Sequence, residues 1–370
     1  MSYFVRNLRR FAGELLEDPA RVPAKVSTAL KVKLKSGLEE ALGASAVGDR
    51  LAARYRGRGL VLMFHEIHDD VEGNLRMGCS PEQLRRVLAA LKSEGRDIVT
   101  PDEALARLAD PQAKEFAVLT FDDGYRDNRI RALPILEEFG APMTMFVPTG
   151  MVTREVYAWW LGLRALLQRH DEVEIEPMAR RFRLADAPSR NAALRQITLW
   201  IGTDRIRAEA LKPTFDRHGL SLPELVAEVA MDERELKDFA THPLVTIGGH
   251  TTSHTFLAGL DDAAAYKDIA DNKVYLESLL GGEVRHFAYP YGTEGACGER
   301  EAAYVLAAGF ATGFTTRSGQ LFPAHLATSS LLPREDAGFA YMTPAQMGSR
   351  LNGMRRALVT HFADPVAGLR

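Results

Sequence analysis

Cysteine is nearly absent from this sequence: 370 residues hold two, and Cys79 and Cys297 lie far apart without a CxxC partner. They read as reduced thiols of a cytoplasmic protein rather than as a disulfide framework. Long apolar runs are missing too. The longest blocks resemble Leu60-Val-Leu-Met-Phe64, far short of the ~18 residues of a membrane-spanning helix. The first ten residues scatter Arg6, Arg9 and Arg10 among apolar ones, so the pattern of a secretory signal is not expected. Neither an internal repeat nor a low-complexity tract is present. A basic stripe interleaved with aromatic residues is absent as well, so no nucleic-acid partner is expected. With 46% hydrophobic and 26% charged residues, the chain is too apolar for disorder and reads as an ordinary globular protein.

The net charge of −3 is unevenly spread. Residues 1–59 carry twelve basic and six acidic side chains, a balance of +6, which leaves −9 for the remainder. Phe4, Leu8, Phe11 and Leu15 recur at helical spacing, as do Val22, Val26 and Leu30, so residues 1–58 are expected to form a basic amphipathic helical arm. Such an arm packs on the main domain or a second subunit, or lies on an anionic membrane surface. Peripheral association with the inner membrane face through residues 1–59 is therefore one expectation for the location of a cytoplasmic protein.

From Leu60 onward short β-type runs alternate with helical ones. Strands are expected at Leu60–Phe64, Phe116–Phe121, Met143–Val147, Leu244–Gly248, Phe287–Tyr289, Ala311–Thr315 and near Leu331. Helices are expected at Ser80–Glu94, Arg129–Phe139, Asp262–Leu280 and Glu299–Ala308, three of them ending at Gly140, Gly281 and Gly309. This alternation predicts parallel β/α units, closed into a barrel or wound into an open sheet. Residues 153–242 break the rhythm and read as a helical insertion without a convincing strand. The expected organisation is an arm over 1–58, one α/β domain over 59–350, and a tail over 351–370.

Four segments carry candidate chemistry. Asp122 and Asp123 follow an apolar strand and precede Gly124, at the carboxyl end where β/α folds collect ligand and catalytic groups. Neighbouring residues there diverge, so one carboxylate can hold a metal while the other accepts a proton; a turn or helix-cap aspartate is the structural alternative. His250 and His254, in His-Thr-Thr-Ser-His, also follow an apolar strand. Two imidazoles and one carboxylate leave coordination positions open, as a hydrolytic metal site requires. In Phe287-Ala-Tyr-Pro-Tyr-Gly292 the proline and glycine can present the Tyr291 amide N–H to an oxyanion, although Pro-Tyr-Gly alone describes a turn. His65 closes Leu62-Met-Phe-His65 and can protonate a leaving amine. His68 competes with it, but His65 is nearer the expected strand end. Tyr157, Trp159 and Trp160 in the insertion can either stack on sugar rings or anchor the insertion.

These ordered motifs, Thr120-Phe-Asp-Asp-Gly124, His250-Thr-Thr-Ser-His254 and Phe287-Ala-Tyr-Pro-Tyr-Gly292, resemble those of the polysaccharide deacetylases, the NodB-homology group of carbohydrate esterase family four. The resemblance spans residues 59 to 350 with the insertion set aside. It implies a distorted (β/α)7 barrel that removes N-acetyl groups from amino sugars of a polysaccharide or oligosaccharide. It also implies a divalent metal, Zn2+ first, with Co2+, Ni2+ or Fe2+ as alternatives. Carried over, Asp123, His250 and His254 are metal ligands, Asp122 is the general base, and the Tyr291 amide belongs to an oxyanion hole. Where many members have an arginine that pairs with the base, this chain has Ala288; Arg334, in Leu332-Pro-Arg334, is the expected substitute from another strand. Many members also draw the acid histidine from a late strand, for which His325 is poorly placed. The Leu-Met-Phe-His start is similar to deacetylases of exported poly-N-acetylglucosamine, in which the acid comes from the first strand, and this supports His65. The alternatives are a deformylase or deacetylase of a lipid-linked sugar at the inner membrane face, and an inactive carbohydrate-binding relative.

Overall fold

Residues Gly59–Phe64 form the first strand, β1, and all six are buried. Successive side chains of a strand point to opposite faces, so this burial requires cover on both sides. Leu60, Leu62 and Phe64 join Ala117, Leu119 and Phe121 of β2 (Phe116–Asp122) in the main core. On the other face Val61 packs with Val118, Phe146, Ala288, Phe314 and Leu332. The first set lies under helices, and the second fills the interior of a barrel.

The computed structural model describes residues 37, 39, 41, 42, 45–71, 73, 75–339 and 342–367. The other strands of the ring are β3 (Met143–Val147), β4 (Val245–Gly249), β5 (His286–Ala288), β6 (Thr312–Phe314) and β7 (Glu335–Asp336). They run parallel in the order β7-β1-β2-β3-β4-β5-β6. The ring closes where β6 meets the residues entering β7: Leu332 N–H donates to Gly313 O, and Thr315 N–H to Leu332 O, both at 2.8 Å. The fold is thus a distorted (β/α)7 barrel. Its distortion lies at β7, which pairs with β1 over two residues only and is reached through the 3-10 turns of Pro323–Leu331.

Helices α1 (Pro81–Ser93) and α2 (Leu133–Phe139) form as their end signals dictate. The Ser80 hydroxyl accepts from Gln83 N–H at 3.1 Å, and Gly140 ends α2 with φ of 60°. Helices α4 (Asp262–Leu280) and α5 (Glu299–Ala307) follow β4 and β5. The basic face predicted for the arm lies outside the described residues. Its final part contains the helix Ala46–Ala52, where Ala52, together with Tyr55, packs on Met354, Ala357 and Leu358. The segment read as a tail therefore includes a packed helix, Met354–Val359. Among the described residues no helix is long and apolar enough to cross a membrane.

The insertion between β3 and β4 is built around α3 (Trp159–Arg169) and has its own core, including Leu163, Leu166, Phe215 and Val226. One expectation for it is corrected: Glu172–Ile175 and Arg180–Arg183 form an antiparallel hairpin. Val173, Ile175 and Phe182 turn inward while charged neighbours face solvent, a period-two pattern too short and too charged to stand out in the sequence. Arg164 of α3 docks the insertion on the barrel through Glu66, a fully buried carboxylate 2.7 Å away. Arg76 lies 3.0 Å from Glu66 and 3.3 Å from Asp127. Burial, followed by repulsion from Glu66, pushes the Asp127 carboxyl up to about 7 despite Arg76.

The folded state therefore keeps a proton on Asp127 that the unfolded chain releases near pH 4, so this carboxyl makes stability fall as pH rises from about 4 through about 7. Asp127→Asn cannot ionise, and its stability relative to wild type should be greater at pH 8 than at pH 5 in urea denaturation. An equal difference at the two pH values would contradict the shifted carboxyl.

Candidate active site

Strand alternation decides which side chains can meet. Val61, Val118, Phe146 and Ala288 face the barrel interior, so Asp122, four residues after Val118 on β2, faces inward with Thr120 between them. By the same parity His65 follows Val61 and Met63 over the carboxyl end of β1. Asp122 and Asp123 are both 2% exposed.

Arg334, 1% exposed, fills the space beneath them. Its Nη1 donates to Asp122 Oδ1 at 2.7 Å and its Nη2 to Asp122 Oδ2 at 2.8 Å. The remaining donors reach Thr120 Oγ1 at 3.2 Å and Thr315 O at 2.9 Å. The position of the motif arginine is occupied by Ala288, whose side chain is part of the interior packing; the guanidinium arrives instead from the residue before β7. Burial alone would raise the Asp122 carboxyl, but the charge of Arg334, followed by His250, outweighs it and holds the group below its usual value. His65 Nε2 stands 4.0 Å from Asp122 Oδ2. His68 is engaged elsewhere, its Nδ1 accepting from Asp70 N–H at 3.2 Å. His325 is buried among Phe322 and Ala367, away from these groups.

Asp123, His250 and His254 converge, with one ligand atom of each within 4.8 Å of the others. His250 Nε2 is 3.5 Å and His254 Nε2 3.1 Å from Asp123 Oδ1. The His250 Nδ1–H donates to Ala288 O at 2.6 Å; a carbonyl can only accept, so this bond fixes which ring nitrogen carries the proton. A lone pair on His250 Nε2 then faces a carboxylate oxygen that has no hydrogen-bond donor. A cation between these atoms satisfies them. Burial opposes ionisation of Asp123, but when the rings carry protons in place of a metal, the charge of His254, followed by hydrogen bonds from His250 and His254, holds its carboxyl well below the usual range.

The loops around the cluster are strained. Asp123, Thr251, His254 and Tyr291 adopt φ of 73°, 63°, 53° and 62°, the left-handed region that non-glycine residues rarely occupy. Two residues of α4 that motif reading missed hold the histidine loop. Asn272 Oδ1 accepts from His250 N–H at 2.9 Å, while its amide donates to Val147 O, Thr149 Oγ1 and Thr251 O. Asp268 accepts from the N–H groups of Thr252 and Ser253 and from the Ser253 hydroxyl. Their sequence signal is two polar residues one turn apart on a packed helix face. Gly249 permits Asn272 to approach, since a Cβ there would lie 2.6 Å from its Oδ1.

The Tyr291 loop closes over the same site. Gly292 N–H donates to Pro290 O at 2.7 Å, and a Cβ on Gly292 would meet Thr316 N at 2.6 Å. The Tyr291 N–H donates to no described residue and is left available. The Tyr291 hydroxyl accepts from Trp159 Nε1–H at 3.0 Å, and Trp160 donates to the Tyr125 hydroxyl at 3.0 Å while its ring lies 4.7 Å from His254. Of the expected aromatic wall, the two tryptophans thus serve as anchors of the insertion, and Tyr157 with Trp159 also borders a cleft of about 480 Å3 beside His254.

Residues 109–305, more than half of the chain, match the family model for polysaccharide deacetylase. The chain belongs to the polysaccharide deacetylase family. Solved structures share its fold. The Streptococcus pyogenes deacetylase PplD, in complex with acetate, has a TM-score of 0.52 and 18% identity over 79% of this chain and 97% of that one. IcaB from Ammonifex degensii has a TM-score of 0.50 and 18% identity over 80% and 97%. A de-N-acetylase from Aggregatibacter actinomycetemcomitans has a TM-score of 0.50 and 13% identity over 79% and 99%. No curated protein sequence matches the chain at a significant level.

In this family member the Asp122 carboxylate is enclosed with one guanidinium. Arg334→Met would strand it, and the expected cost is about 3–5 kcal/mol of folding stability, read from the urea midpoint. A change below about 1 kcal/mol would show that the pair does not hold the barrel interior.

Proposed function

We propose that this polysaccharide deacetylase is a metal-dependent amide hydrolase that removes N-acetyl groups from amino sugars of a polysaccharide or oligosaccharide and releases acetate. The observation that carries the reading is the facing of His250 Nε2, His254 Nε2 and Asp123 Oδ1 without a donor for the carboxylate oxygen. Two nitrogens and one oxygen suit a divalent ion of Zn2+ type, with Co2+, Ni2+ or Fe2+ as alternatives. Such an ion, when bound, supplies positive charge that polarises a carbonyl and acidifies water.

The other groups divide the proton transfers. Asp122, kept ionised by Arg334, accepts a proton from the attacking water as general base. The free Tyr291 N–H stabilises negative charge developing on the acetyl oxygen. His65, 4.0 Å from Asp122, delivers a proton to the departing sugar nitrogen, so that a free amine and acetate result. The cleft beside His254 is large enough for a saccharide by the usual dimensions of ligand sites. The +6 charge of residues 1–59 supports a second substrate, a lipid-linked amino sugar presented at the inner membrane face.

Asp123→Asn and His250→Ala should lose bound metal and acetate release together, measured by metal analysis and an acetate assay on N-acetylglucosamine oligomers. Wild-type metal content in either variant would overturn the ligand assignment. His65→Ala should keep its metal while kcat falls about 10²–10⁴-fold; unchanged kcat would remove His65 as the acid. Retention on anionic vesicles that disappears on deletion of residues 1–59 would favour the lipid-linked substrate.

A further inference from the structure

The insertion touches the site through two consecutive residues. Neighbouring residues of a helix diverge by about 100°, and the rings of Trp159 and Trp160 stand at 88° to one another. Trp159 donates its indole N–H to the hydroxyl of Tyr291, in the loop after β5. Trp160 donates to the hydroxyl of Tyr125, two residues after Asp123 in the loop following β2, and lays its ring against His254, in the loop after β4. Three barrel loops are therefore gripped by one helix start. The gripped segments include the strained residues Asp123, His254 and Tyr291. Such backbone geometry costs on the order of 1–3 kcal/mol per residue and persists only where the surroundings over-determine it. Phe256 stacks on the Tyr291 ring with centroids 3.7 Å apart and supports the face of that ring, but supplies no polar contact to its hydroxyl.

We propose that Trp159 and Trp160 are positioning residues of the active site, Trp159 setting the Tyr291 loop through the tyrosine hydroxyl and Trp160 setting His254 and the loop after Asp123. The inference rests on the proposed hydrolase reading for its kinetic part and is independent of it for its metal part. It gives the Tyr291 side chain a task distinct from that of its amide: the hydroxyl fixes the loop, and the N–H faces the reaction.

The kinetic test is a double-mutant cycle on an acetate-release assay. Trp159→Phe and Tyr291→Phe each remove one partner of the indole-to-hydroxyl bond and should lower kcat about tenfold with little change in KM. The double variant should be no slower than either single one, because all three lack the same bond. A product of the two single effects, or kcat unchanged while the thermal midpoint falls, would overturn the role of Trp159. The metal test needs no substrate. Trp160→Phe should weaken Zn2+ binding on the order of tenfold in competition with a chromogenic chelator, within the range known for groups that orient metal ligands. Unchanged Zn2+ affinity would overturn the role of Trp160. Tyr275→Phe is the control: its hydroxyl bonds Glu233 at 2.7 Å, a contact between α4 and the helix Glu233–Ala240 that leads into β4 and packs in the main core, and its loss should leave both kcat and Zn2+ affinity unchanged. Parallel losses in the control would mean that any hydrogen bond lost from this side of the fold lowers both readouts, against the proposal. If wild-type protein binds Zn2+ yet releases no acetate, the hydrolase reading fails while the metal test still decides the place of Trp160.

Discussion

A guanidinium and a carboxylate shut inside the barrel, Arg334 and Asp122, set the conditions for everything above them. Both are almost fully buried, and removing two charges from water is expensive unless they meet in good geometry with their remaining hydrogen-bonding groups satisfied. The two contacts of 2.7 and 2.8 Å, with Thr120 and Thr315 taking the other donors, provide that. The pair also ties the short last strand to the second strand across the interior. The shortest strand of the ring is thereby held by charge where its ladder with β1 is only two residues long.

Above this pair the site is a set of backbone compromises. Four residues in the left-handed region occupy the loops after β2, β4 and β5, and each redirects a side chain or amide that a relaxed turn would aim elsewhere. Asn272 and Asp268 of α4 hold one of these loops from behind through buried hydrogen bonds. The insertion holds the others from the front. The barrel supplies direction, α4 supplies tension on the histidine loop, and the insertion supplies the cover.

The electrostatics of the cluster make sense in the same terms. Asp123 Oδ1 has no donor, and the neighbouring His250 nitrogen has its proton on the far side of the ring, given to Ala288 O. A buried carboxylate oxygen facing two ring nitrogens needs positive charge between them, supplied by protons on the rings or by a metal ion.

Much of this was legible in the sequence because the signals are local. Strand alternation and end residues marked the six longer barrel strands within one or two positions and the helices that follow them, although α2 begins four residues later than expected, after a π-helical turn at Asn128–Ala132. Three short motifs named five residues of the candidate site, and the first strand and Leu332-Pro-Arg334 added His65 and Arg334. The hairpin of the insertion escaped because its apolar face is only three residues, Val173, Ile175 and Phe182. Asn272 and Asp268 escaped because a polar residue on a helix carries no sign of what its amide or carboxylate will meet 20 residues upstream. The substitution of Arg334 for the motif arginine could be suspected from the sequence, but its contact spans 212 residues and exists only because barrel closure brings β7 beside β1 and the interior together. Residue types, periodicity and motif order are properties of the chain itself; which carboxylate meets which guanidinium, and which tryptophan meets which loop, depends on through-space packing that no local pattern encodes.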